Sequence, residues 1–75
     1  MISATTRELI FVVEEAQEGG FQARALDEAI FTEGETLEEL KSNIKDAMDC
    51  HYDEKEEKPR IVRLHIVRDE IFSYV

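Results

Sequence analysis

Cysteine and proline occur once each in this sequence, tryptophan not at all, and glycine only three times. A lone Cys50 cannot close an intramolecular disulfide, so the chain is no disulfide-stapled scaffold and suits a reducing compartment. Long apolar runs are missing too: the longest, Leu9 to Val13, falls far short of the roughly 20 residues a membrane-spanning helix needs. No basic leader precedes a hydrophobic segment, which makes the cytoplasm the expected location and a membrane partner unexpected. Basic residues are scarce, nine Lys and Arg against eighteen Asp and Glu, for a formal net charge of −9 at pH 7. That balance argues against a stand-alone nucleic-acid binder, which would follow phosphates with clustered Lys and Arg.

What is present points to a small folded domain. Seventy-five residues allow a single domain over 1–75, and 43% hydrophobic content is enough for a core. A chain this short buries only about 60% of the surface that its unfolded form exposes. Its core is marginal, and homo-oligomerisation is the expected source of further stability. The charge is uneven: residues 33–57 hold ten acids and three Lys, net −7, whereas residues 58–68 hold Lys58, Arg60, Arg63 and Arg68 and no acid. An acidic helix side and a small basic strand edge are expected.

Along the chain, residues 1–6 read as a frayed polar leader. "RELIFVVEEA" alternates Leu9, Phe11 and Val13 against Ile10 and Val12, a central strand with two apolar faces. Gly19 and Gly20 supply a turn, and "FQARAL" forms the second arm of a hairpin. Ala29 to Thr32 reads as a third strand, with Gly34 as its breaker.

The helix start is the most legible feature. Thr36 is a good N-cap, and Glu39 completes a T-x-x-E capping box. Leu37, Leu40, Ile44, Ala47, Met48 and His51 recur at spacings of three and four, one apolar stripe with His51 packed at its end. "DEKEEKP" reads as a solvated charge run that ends the helix, with Pro59 preventing its continuation. "RIVRLHIV" then sets Val62, Leu64 and Ile66 against Ile61, Arg63, His65 and Val67, a half-buried strand, and residues 69–75 could add an edge strand.

The expected fold is therefore α+β, β-β-β-α-β, with the fourth strand parallel to the first through a right-handed crossover and one helix packed on one face of the sheet. The opposite face should seek a partner chain.

"EGGFQARALDEAIFTEGETLEELKSNIKDAM" resembles the HicB-like antitoxin domain family in its Gly-rich hairpin, "A-x-A-L" strand, short acidic loop and capped amphipathic helix, a likeness running from about Phe11 to Tyr52. The resemblance implies a partly degraded ribonuclease H fold. It also implies partnership with a small basic HicA-like toxin that cleaves messenger RNA. Many such antitoxins continue into a C-terminal DNA-binding domain, whereas this sequence stops at Val75, so direct DNA binding by this chain alone is not expected.

Catalysis on a ribonuclease H fold needs carboxylates converging from the first strand, the first helix and the end of the fourth strand. Glu38 or Glu39 and Asp69 stand roughly at the last two places, but "LIFVV" offers apolar side chains where the first ligand belongs, and Glu14 comes only at the strand's end. Glu38 and Glu39 read as helix-start residues instead. His51, His65 and Cys50 are too few for a structural zinc site, and Cys50 stands beside acids, the wrong surroundings for a nucleophile. Ser42 and Ser73 lack a His partner, and Arg24, Arg63 and Arg68 read as ordinary strand-surface charge. No catalytic residue, metal or cofactor is expected.

The leading expectation is thus a binding module, a HicB-like antitoxin or orphan relative that masks the active surface of a basic ribonuclease. The alternative is a catalytically silent regulatory or scaffold domain without a toxin. Asp27, Glu28, Glu33 and Glu35 are the expected partner-binding acids, and Ile71, Phe72, Tyr74 and Val75 the expected oligomer interface.

Overall fold

The computed structural model describes residues 8–52 and 58–74. Among them the chain forms β1 (Glu8–Glu15), β2 (Phe21–Ala25), β3 (Phe31–Gly34), α1 (Leu37–His51) and β4 (Ile61–Val67). The architecture is α+β, a four-stranded mixed sheet in the order β3-β2-β1-β4 with one helix. The expected leader at 1–6, residues 53–57 of the acidic run, and Val75 lie outside the described residues.

Alternation in β1 decides the layers. Leu9, Phe11 and Val13 are buried under α1, while Ile10 and Val12 on the other face are half-buried. The antiparallel register with β2 sets Phe11 against Ala25 and Val13 against Ala23. Those two alanines are small enough to let the helix approach, and Leu40, Ile44 and Met48 fill the space above them. β4 lies parallel to β1 on its other side, with Leu9 against Val62, Phe11 against Leu64 and Val13 against Ile66. The β-strand, helix, parallel-strand connection expected from the element order is therefore present.

The helix does not cover the sheet evenly. It lies closest to β3 and β2 and makes no close approach to β4. Val62 and Ile66 stay 37% and 46% exposed although their partners in β1 are buried almost completely.

Three local expectations are corrected. The third strand lies at Phe31–Gly34, not Ala29 to Thr32, because the Ala25 N–H donates to the Ile30 carbonyl and so holds Ala29 in the reversal and Ile30 at its close. The paired register then begins at Arg24 with Phe31 and ends at Phe21 with Gly34. His51 is exposed rather than packed, and Tyr52 occupies the core in its place at 7% exposure. Tyr52 has left helical geometry (φ −98°, ψ 136°), which turns its side chain inward where another helical residue would continue round the surface.

The third correction concerns the extra strand over 69–75. Residues 68–74 take no strand pairing in the single chain, and Ile71, Phe72 and Tyr74 are 95%, 84% and 97% exposed. Pairing with the free edge of β4 needs a reversal at Arg68–Glu70, a stretch without glycine or asparagine to take the positive φ of a tight hairpin.

Candidate functional site

Two backbone constraints bring the hairpin and the helix start together. Gly19 and Gly20 adopt φ of +103° and +84°, and the turn closes by Gly19 N–H to the Ala16 carbonyl and Ala16 N–H to the Gly20 carbonyl, both 3.0 Å. At the end of β3, Gly34 packs directly on the first turn of α1. A Cβ there would stand 2.6 Å from the Leu40 nitrogen and 2.8 Å from its Cα.

The helix start is capped as the sequence predicts, with one difference. Thr36 Oγ1 accepts from the Glu39 N–H at 3.0 Å, but Glu39 Oε1 reaches past the cap residue to accept from the Glu35 N–H at 2.7 Å. The reciprocal bond thus ties down the loop before the helix rather than the cap itself. One turn on, Asn43 Nδ2 donates to the Glu33 carbonyl at 2.7 Å and holds α1 to β3.

The result is an open depression of about 400 Å³ between the hairpin turn and the β3–α1 link. Glu18, Glu33, Glu35 and Glu39 line it together with Gly19 and Gly20. Glu39 already accepts from the Glu35 N–H, and the carboxylates as a group give this depression a negative potential.

Asp27 and Glu28 do not join this group. They sit in the β2–β3 turn, at the other end of the strand pair, about 14–17 Å away along the strands at roughly 3.4 Å per residue. There Glu28 Oε1 lies 3.0 Å from His51 Nε2, and the His51 ring meets Tyr52 edge-on at 4.9 Å between centroids. The four expected partner-binding acids therefore divide into two pairs, of which Glu28 already has a partner within the chain.

The remaining charges are distributed rather than convergent. On the face away from α1, Val12 is flanked by Arg24 on one side and His65 on the other, and Arg63 pairs with Glu8, whose hydrogen bond and charge hold the guanidinium above its usual value. Lys58 lies 3.4 Å from Asp49. Among the described residues no three His, Cys, Asp or Glu side chains converge as a metal site. Glu38 and Glu39 are in the first turn of α1, Asp69 follows β4 as an exposed residue, and Cys50 is exposed. No helix among the described residues is long and apolar enough to cross a membrane.

Glu18, Asn43 and Tyr52 are the residues that sequence reasoning missed, and Gly34 it read only as a strand breaker. A glycine just before a capped helix hints at close approach, but Asn43 shows no signal because its partner is a backbone carbonyl ten residues earlier.

This chain is similar to proteins named UPF0150. A UPF0150 protein of Thermotoga maritima is 40% identical over 65 residues, which cover 87% of this chain and 90% of the relative. A UPF0150 protein of Archaeoglobus fulgidus is 49% identical over 53 residues, 71% of this chain and 77% of the relative. No family model matches the chain. No solved structure matches it either.

Proposed function

The chain belongs to the UPF0150 family, and from the residues of its acidic depression and its element order we propose that it is a HicB-like antitoxin module that binds a small basic ribonuclease and masks its active surface. It acts by binding, without catalytic residues, metal or cofactor of its own.

The observation that carries this reading is the gathering of Glu18, Glu33, Glu35 and Glu39 around the glycine turn. A basic enzyme that handles RNA must present Lys and Arg on its active surface, and clustered carboxylates compete for those same groups. The element order β-β-β-α-β with β4 parallel to β1 also supports the reading, since it is the order of a reduced ribonuclease H fold. So does the resemblance of residues 11–52 to HicB-like antitoxins, a stretch that takes in most of β1 and all of α1. Complementary charge would speed encounter and orient the pair more than it would raise affinity.

Co-expression with any small basic protein encoded beside its gene tests the proposal. The two should purify together, and added antitoxin should stop RNA cleavage by the partner. Glu33→Lys with Glu35→Lys should slow association, as should added salt, because steering between opposite charges is screened. A neighbouring ribonuclease that neither binds nor is inhibited would leave the regulatory or scaffold reading in its place.

A further inference from the structure

The uneven cover of the sheet and the exposed segment after β4 belong together. Beside β4, where α1 stops short, an apolar groove of about 320 Å³ is lined by Ile44, Val62 and Leu64 and edged by Lys41 and Lys45. The other half of the pattern is residues 69–74, where two acids, Asp69 and Glu70, precede Ile71, Phe72 and Tyr74. Those three apolar side chains are 84% or more exposed, an apolar stretch of the kind that marks an interaction site.

We infer that a second copy of this chain fills the groove: the segment after β4 of each protomer crosses to the other, seats Phe72 and Ile71 against Val62 and Leu64, and sets Asp69 and Glu70 beside Lys41 and Lys45. This inference goes beyond the binding of a toxin and does not depend on it.

Charge selects this arrangement. With a net charge of −9 per chain, most pairings of two copies bring like charges together. The exchange matches acids of the segment to lysines of the groove and does so twice, since a two-fold axis repeats each contact. Area supports it as well. The two seated Phe72 rings bury roughly 150–250 Å² each, and with Ile71 of each protomer and the grooves they cover the total approaches the roughly 1,200 Å² of a stable interface. The segment reaches its own groove poorly, because Arg68–Glu70 lacks a residue suited to a tight reversal and the groove lies toward the start of β4, at Val62 and Leu64.

Sedimentation of the full chain at tens of micromolar, a concentration above weak contacts, should give a dimer. Ile71→Asp with Phe72→Asp should give a monomer of unchanged circular dichroism, because those side chains are exposed in the single chain. Lys41→Glu with Lys45→Glu should weaken the dimer at least tenfold, and adding Asp69→Lys with Glu70→Lys to that variant should restore it at the same net charge. A wild-type monomer overturns the inference, whether free or with residues 71–74 protected from hydrogen exchange by folding back on β4. A dimer that survives the aspartates overturns the role of the segment. A quadruple variant that fails to recover overturns the groove as its seat.

Discussion

Gly34 and Leu40 approach so closely that a single added carbon between them would lie 2.6 Å from the Leu40 nitrogen. The contact is backbone against backbone, so no side-chain rotation relieves it. Gly34→Ala should therefore push α1 off β3 and destabilise the fold by about 1–3 kcal/mol, the usual range for overpacking. Urea denaturation reads the loss as a lower midpoint, and a midpoint equal to wild type would contradict the close approach.

Thr36 and Glu39 hold the helix start from opposite directions. Thr36→Ala should cost about 1 kcal/mol. Glu39→Gln keeps an acceptor for the Glu35 N–H and should cost less than Glu39→Ala. Equal losses for the two Glu39 variants would show that the bond to Glu35 contributes nothing.

Phe11 and Phe31 offer a contrast in burial at one residue type, 0% against 61% exposed. Phe11→Ala should remove about 3–5 kcal/mol, enough to unfold much of a chain this small. Phe31→Ala should stay within about 0.5 kcal/mol, as surface changes do. A large loss at Phe31 measured at high protein concentration would reveal an interface over the face away from α1.

The purified chain should neither retard its promoter DNA in a gel shift nor degrade RNA with added Mg²⁺ or Mn²⁺. Its cations alternate between exposed strand positions, and Arg63 is already paired with Glu8, so no continuous track for phosphates exists among the described residues. Sequence-specific retardation would refute the first half, and RNA cleavage abolished by Asp69→Asn the second.

Periodicity and caps made most of this architecture readable in the sequence. The alternation in Leu9 to Val13 and the three-four spacing from Leu37 to Met48 each bury one face only, so they determined two of the layers before any contact was known. Thr36 likewise announced the helix start, because capping is a bond between residues three apart. Tertiary structure decided what depends on distant partners. The register of β3 follows from its pairing with β2, and the exchange of His51 for Tyr52 in the core follows from where the chain leaves the helix. The division of the four acids into two pairs has the same origin: Asp27 and Glu28 are close in sequence to Glu33 and Glu35, but an antiparallel pair carries its two ends apart in proportion to strand length. Local rules act over a few residues through hydrogen bonds and side-chain direction, whereas which carboxylates share a surface is set by how the strands and helix pack.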